Sequence, residues 1–372
     1  MPSRVQNRLA VFRDCVSLED ACEVEYGTRI RSKDSKGDTY PVYGGGGKTF
    51  DWDTFNRTDQ CVVSRFAMSP KCVRFVRGKF FLNDSGLTLR VVDKRIDQHF
   101  VDCFLIASQD RIFALGRGCA QKNLKVDEFK KMPLPVPSLP EQKRITRQLD
   151  LIEELKNNVE DRLSLFDQIV KSHFAEVFGD PLTNPMGWPV GCVSDVSDYW
   201  NGLTYRPADV SNRGIIVLRS SNIQNSEIDL ADIVRVNVKA KEKNYVQAGD
   251  ILMCSRNGSA ALVGKTAIIP PLAEKMYFGA FMMIIRAECP EYLNAFFKTK
   301  AFRAQIACGK TATVNQITCT MMDKVRVPLP PLPLQRKFAK FVAEVEMLKA
   351  NLRETAATLD QIYRAKQQEY FG

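Results

Sequence analysis

The chain has 372 residues and a formal net charge of +10, enough length for two domains and connecting helices. A hydrophobic share of 45% and an aromatic share of 9% exclude a disordered tail or a collagen, and the longest apolar run, Phe278 to Ile285, is far too short to cross a bilayer. Eleven scattered cysteines, an odd number with no Cys-x-x-Cys pair, argue for reduced thiols in a cytoplasm and against a disulfide framework or a zinc site.

Taken in chain order, the first residues have no apolar core long enough for a signal peptide. Residues 1–134 read as a mixed, mostly β domain. Strand chemistry shows at 61–66, 72–76 and 87–92, with turn residues between, and 97–107 reads as helix. The outstanding local feature is Tyr40 to Thr49, which carries Gly44, Gly45, Gly46, Gly47 and Lys48. A triphosphate loop would need a glycine where Val42 stands and an apolar helix afterwards, and the residues that follow are polar and turn-like. A glycine loop bringing backbone close to a DNA phosphate or groove, with Lys48 as the charged contact, fits better.

Residues 135–179 begin with prolines that forbid a continued helix or a central strand. A long amphipathic helix follows, with apolar positions at Ile145, Leu149, Ile152, Val159, Leu163, Phe166 and Val170, then Val177. Residues 180–327 form a second mixed domain, with strands near 214–219, 249–256 and 265–269, a helix over 291–307, and a turn at 184–188 before the buried-type aromatic Trp188. Residues 328–372 then restate 135–179. A shift of 193 residues aligns the two stretches without a gap, and fifteen of forty-five positions are identical, far above chance, so the chain reads as a tandem pair. The second seam is Phe338, Val342, Val345, Leu352, Ala356, Leu359, Tyr363 and Tyr370. Lys156 and Lys349 occupy the same place in the two copies. A helix of about 40 residues is ~60 Å long, too long to bury against one small domain, so the two helices are expected to pack on each other as a coiled coil. His173 falls on this seam in a packing role.

The charge is unevenly placed: +6 over 1–134 and +4 over 180–327, against −2 and +2 for the two repeats. The excess lies in the globular halves, as polyanion binding would require, and nucleic acid is the commonest such partner. Side chains suited to base edges and phosphates stand at strand ends and loops. They are Arg65 and Asn123 in the first half, and Arg219, Asn222, Arg256, Asn257, Asn315 and Gln316 in the second. No nucleophile pairs with a histidine, no Asp/Asn-Pro-Pro-Tyr/Phe tetrapeptide occurs and no dinucleotide fingerprint opens a helix. No catalytic residue, metal ligand or cofactor site is therefore expected.

These residues resemble the specificity subunit of type I restriction–modification systems over nearly the whole chain. The carriers are the duplicated helix starts at Pro137 to Gln142 and Pro330 to Gln335, Phe178 to Pro181 running into Asn184 to Trp188, the Tyr40 to Gly45 loop, and Gly249 to Leu252 with Leu262 to Thr266. Leu334 stands where the first copy has Glu141, and the second half lacks the glycine loop, which implies different base preferences. The resemblance implies an α+β fold of two mostly-β target recognition domains, 1–134 and 180–327, separated by two spacer helices, 135–179 and 328–372, in an antiparallel coiled coil with pseudo-two-fold symmetry. It further implies a subunit without catalytic activity that binds a bipartite double-stranded DNA site and docks two adenine methyltransferase subunits, with motor-nuclease subunits able to join. A stand-alone DNA-modifying enzyme and a coiled-coil scaffold without a DNA role are the rivals.

Overall fold

The computed structural model describes residues 14–34, 37–118, 121–307 and 315–372. The segments 120–124 and 311–317, which hold Asn123, Asn315 and Gln316, are therefore described only from Gln121 and from Asn315. By packing, the chain forms two units. Unit 1 is residues 1–161 with 353–372, and unit 2 is residues 162–352. Each unit thus holds one end of each long helix.

Unit 1 opens with strand β1 (Cys15–Ser17), followed by β2 (Cys22–Tyr26), β3 (Tyr40–Tyr43), β4 (Lys48–Trp52), β5 (Arg57–Ser64), β6 (Val73–Leu82) and β7 (Gly86–Val91). The last six form one sheet in the order β2-β7-β5-β6-β3-β4, antiparallel except for the β3–β6 pair. A helix, Gln98–Ala107, is started by Asp97, whose carboxylate accepts from the His99 and Phe100 backbone N–H groups as an N-cap should. Its apolar face, Phe100, Val101, Phe104 and Leu105, is fully buried in a core with Val63, Leu87 and Leu89 of the sheet. Two short ribbons complete the domain. β8 (Gly116–Arg117) pairs with β9 (Asn123–Leu124), and β10 (Pro133–Pro135) pairs with β1. Prolines are tolerated in β10 because a two-stranded ribbon leaves an edge free.

The first long helix runs over Leu139–Phe178, forty residues, with Pro140 in its first turn, where a missing N–H costs nothing. Gln142 latches it to the domain. Fully buried, it accepts from the Asp97 N–H at 2.8 Å and donates to the carbonyls of Arg95 at 2.8 Å and Pro137 at 2.7 Å. The second long helix, Leu332–Phe371, repeats the latch in unit 2 with Gln335 donating to Pro330 at 2.8 Å. Gly179 and Gly372 follow the two helices at φ +77° and +42°, left-handed positions that stop a helix.

In unit 2, β11 (Val190–Cys192), β12 (Ser197–Asn201), β13 (Val210–Leu218), β14 (Ile223–Gln224), β15 (Glu227–Ile228), β16 (Val234–Val236), β17 (Ile251–Cys254), β18 (Arg256–Asn257), β19 (Thr266–Ile268), β20 (Met276–Phe278), β21 (Met282–Ala287), β22 (Asn315–Gln316) and β23 (Arg326–Pro328) follow in order. β12-β21-β17-β19 form an antiparallel sheet, and β16-β13-β20 a smaller one in which β13 and β20 run parallel. The single helix expected over 291–307 is two, Pro290–Phe297 and Lys300–Ala307. Thr299 divides them: its hydroxyl donates to the Phe296 carbonyl at 2.7 Å and accepts from the Phe302 N–H at 3.3 Å. Trp188, expected to be buried, is half-buried, and its indole N–H donates to the Phe178 carbonyl at 3.0 Å.

Within each unit the two long helices run antiparallel. In unit 1, Lys156 reaches Asp360 at 2.5 Å and lies over the Tyr363 ring, and the Tyr370 hydroxyl donates to Gln148. In unit 2, Lys349 meets Asp167 at 2.9 Å, and Phe174 and Phe178 pack on Phe338. His173 lies 4.2 Å from the Phe341 ring. All the seam positions read from sequence are buried or half-buried. Each domain core is also closed by a helix end. Phe371 packs 5.3 Å from Phe100 and 5.8 Å from Phe104 in unit 1, and Phe178 lies 4.8 Å from Tyr292 in unit 2.

Both units follow one plan, although their domain sequences share little. The parallel pair β3–β6 corresponds to β13–β20. The Leu18 N–H donates to the Met132 carbonyl and the Val193 N–H to that of Val325; Leu124 donates to Arg65 and Ile317 to Ser255; Arg65 donates to Ser85 and Ser255 to Phe281. Met132 with Val325, and Leu124 with Ile317, are separated by the same 193 residues that align the helices.

Candidate nucleic-acid interface

This correspondence brings the sequence candidates together. In each unit three segments meet at one end of the sheet system. The first leaves the parallel strand: Gly44–Gly47 after β3, and Arg219–Asn222 after β13. The second leaves the next long strand: Arg65–Ala67 after β5, and Ser255–Gly258 after β17. The third is a ribbon strand, β9 with Asn123 or β22 with Asn315 and Gln316.

In unit 1 the glycine run is bolted down. The Ser64 hydroxyl donates to the Gly45 carbonyl at 2.5 Å, the Gly45 N–H donates to the Ser85 hydroxyl at 3.1 Å, and Arg74 donates to the carbonyls of Gly45 and Gly46. Gly44 and Gly45 are buried. A Cβ at Gly44 would stand 2.1 Å from the Ser85 hydroxyl, and one at Gly45 would stand 2.7 Å from the Phe66 carbonyl. Those two glycines serve close backbone packing, not ligand access. Gly46 and Gly47 are exposed, and a Cβ on either would meet nothing closer than 3.7 Å. Lys48, half-exposed, pairs with Asp51 at 2.7 Å. Asn123 is exposed and accepts from the Ala67 N–H at 3.2 Å. The Arg65 guanidinium lies between the Tyr26 and Phe66 rings, 4.5 and 4.8 Å from their centroids, and donates through Nη1 to the Asp84 carbonyl at 3.0 Å.

In unit 2, Arg256 pairs in register with Gln316, and Asn257 with Asn315, so four candidates share one ribbon. Asn257 donates to the Ser220 hydroxyl at 3.2 Å and Asn315 to the Gly258 carbonyl at 3.2 Å, tying the three segments together. Arg256 and Gln316 are exposed. Asn222 is fully buried; its amide accepts from the Arg219 N–H and donates to the carbonyls of Asp229 and Asp232. It is a buried loop staple with both amide N–H groups already donated. Arg219 pairs with Asp232 at 2.9 Å. The residues that sequence reading missed are aromatic: Tyr26, Phe66 and Phe281 are all exposed here. Phe281 was hidden in the apolar run 278–285, which a turn at Gly279–Phe281 breaks open, with the Met282 N–H donating to the Gly279 carbonyl. The Arg65–Phe66 dipeptide at a strand end was the one legible hint of the others.

The thiols near the sheets are held protonated. Burial pushes Cys72 up to about 11 and Cys22 up to about 12, so neither supplies a thiolate nucleophile at neutral pH. Among the described residues, His99, Cys103 and Asp150 bring donor atoms within 4.8 Å of one another. His99 Nε2 already sits 2.8 and 2.9 Å from the two Asp150 oxygens, which ties the domain to the first long helix without an ion. No helix among the described residues is long and apolar enough to cross a membrane.

A family model for the type I restriction modification DNA specificity domain matches residues 14–164 and again 185–359. The chain belongs to that family. The StySPI specificity subunit of Salmonella potsdam is 31% identical over 187 residues, 48% of this chain and 40% of that protein. The EcoKI specificity subunit of Escherichia coli K12 is 30% identical over 187 residues, 48% of this chain and 39% of that protein. The matches thus span about two fifths of the length of these curated relatives. The fold is shared over almost the full length with the specificity subunit of a type I system from M. genitalium, at 16% identity and a TM-score of 0.56, covering 98% of this chain and 97% of that one. A chain from a structural study of complex assembly and conformational transition of the type I system gives 18% identity and 0.53, covering 96% and 97%.

Proposed function

We propose that this member of the specificity-domain family is the non-catalytic DNA sequence-recognition subunit of a type I restriction–modification complex. Each loop cluster reads one part of a bipartite, asymmetric double-stranded site. The single observation that carries this reading is the recurrence of the cluster: both domains present the same three segments at the same topological positions with different side chains. One scaffold used twice with changed chemistry is what an asymmetric target requires. Phosphate contacts from Lys48 and Arg219 would position the duplex, and Arg65, Arg256, Asn123, Asn257, Asn315 and Gln316 would contact base edges. The sequence division into recognition domains 1–134 and 180–327 with spacers 135–179 and 328–372 belongs to this proposal.

The helices support the partner assignment. The repeated residues Leu155 and Leu348, and Ile169 and Ile362, are all exposed. Unit 1 therefore carries one exposed Leu and one exposed Ile from the repeat, and unit 2 the same. Two equivalent apolar faces suit two identical methyltransferase subunits, which supply S-adenosylmethionine chemistry themselves, and motor-nuclease subunits can join that assembly.

The test is binding of the purified chain to duplex DNA across a salt series. Affinity should fall steeply between 50 and 200 mM salt, by roughly 0.9 log unit per log unit of salt for each phosphate neutralised, and the chain alone modifies no DNA when given S-adenosylmethionine or Mg²⁺. Salt-insensitive or absent DNA binding rejects the assignment in favour of a scaffold, and modification by the chain alone rejects it in favour of an enzyme.

A further inference from the structure

In both loop clusters an arginine guanidinium lies over an exposed phenylalanine ring. Phe66 is 44% exposed beneath Arg65, and Phe281 is 57% exposed beneath Arg256, whose guanidinium carbon is 5.2 Å from the ring centroid. Leaving a phenylalanine in water forgoes the burial that ordinarily stabilises a fold. Two such rings therefore stand out, both at the end of the domain where the candidate polar readers meet.

The pairs are not inherited from one another. The hydrogen bonds that align the units place Arg65 against Ser255 and Ser85 against Phe281. Arg256 therefore stands where unit 1 has Phe66, and Phe281 where it has Ser85. The two halves reach the same side-chain pair from non-equivalent positions. A structural need of the shared scaffold would have fixed the pair at equivalent positions, whereas a shared ligand chemistry has no such requirement.

We propose that each Arg–Phe pair is a compound reader of a thymine beside a guanine in the major groove. This rests on the DNA-reading function given above. The phenylalanine edge packs on the thymine C5-methyl, and the guanidinium, held flat by the ring, aims its donors at guanine O6 and N7. Stacking fixes the plane of a side chain that would otherwise lose rotamer entropy on binding. The two pairs differ in strength. Arg256 makes no side-chain hydrogen bond among the described residues, so both terminal nitrogens are free for a bidentate contact. Arg65 already spends Nη1 on the Asp84 carbonyl, and its Nε is buried without a partner. Nη2 and the second Nη1 proton are left, on a guanidinium tethered to Asp84, so the first half reads the thymine methyl with a weaker guanine preference.

The experiment starts by recovering the preferred site of the 372-residue chain from a randomised duplex. Deoxyuridine then replaces thymidine, which removes only the C5-methyl, and 7-deazaguanine replaces guanine, one position at a time. One thymine in each half-site should lose about fourfold in affinity on methyl removal, the worth of one buried methyl. Phe281→Ala should abolish that sensitivity in one half-site alone and Phe66→Ala in the other, while Phe281→Leu, still apolar, keeps it. Arg256→Met, which carries no donor, should erase a 7-deazaguanine effect of at least about fivefold. The proposal is overturned if no thymine responds to methyl removal, or if the response survives in both alanine variants. If the folded wild-type chain recovers no preferred site at all, the DNA-reading function falls with it.

Discussion

Asp102 lies on the buried face of the helix Gln98–Ala107, almost without solvent exposure, with the Gln98 amide donating to it at 3.4 Å. Burial, only partly offset by the Gln98 hydrogen bond and by His99, raises its carboxyl from 3.8 to about 6. The folded state therefore favours the protonated form. The contribution to stability is fully present below the unfolded value near 4 and is lost as pH rises through about 6, a cost of ~3 kcal/mol above that. Asp102→Asn keeps the acceptor and removes the charge. The variant should melt close to the wild type at pH 4 and clearly above it at pH 7.5; an unchanged gap would mean that the site is wet. At the same scale, the residues identical in the two repeats explain themselves. Lys156 bonds Asp360, and Lys349 bonds Asp167, so the shift of 193 residues turns each pair into the other. Sequence comparison showed these positions as matches along the chain; their bond to one another needed the antiparallel pairing. Gly44, Gly45 and Asn222 show the opposite failure. Their residue types suit ligand contact, but each is consumed by packing or hydrogen bonds that no single-sequence pattern reveals.

The elements divide by how local their cause is. Both long helices were legible because a proline start, a 3.5-residue period and a glycine stop all lie within the segment. The break at Thr299 was not, since a hydroxyl that both ends one helix and starts the next looks like any exposed threonine in an amphipathic run. Strand ends shifted by a few residues for the same reason: sheet pairing, not the strand's own residues, sets them. The helix ends carry the strongest energetic expectation. Phe371 fills a pocket made by Phe100 and Phe104, and truncation of a buried phenylalanine costs ~3–5 kcal/mol. Phe371→Ala should lower the stability of unit 1 by about that amount while leaving unit 2 nearly unchanged. Hydrogen exchange separates the two: faster exchange in the helix Gln98–Ala107 but not in Pro290–Phe297 is the expected pattern, and equal loss in both would refute local closure.

For the whole molecule, the repeat is the feature that composition and charge could not give but a self-alignment could. It pointed to two domains and two long helices, and the basic excess lies in the domains. The loops proposed to read DNA were visible only as polar strand ends, because their convergence depends on which strands lie side by side. If the spacers set the distance between heads, adding one heptad to each long helix, after Asp161 and after Leu352, lengthens the pair by ~10 Å. The unspecified stretch between the two parts of the target should grow by about three base pairs at 3.4 Å each. Mapping methylated adenines in cells carrying the lengthened chain would read this directly, and an unchanged gap would reject the spacer role.

One exchange in the packing reaches further. The first head is sealed by Phe371, from the helix that follows the second head, and the second head is sealed by Phe178, from the helix that follows the first. Neither head with its own trailing helix is a finished object; each lends its stopper to the other. A chain cut in the turn between Gly179 and Trp188 yields two pieces, each holding part of both units, so the break would sever a covalent link without dividing either fold.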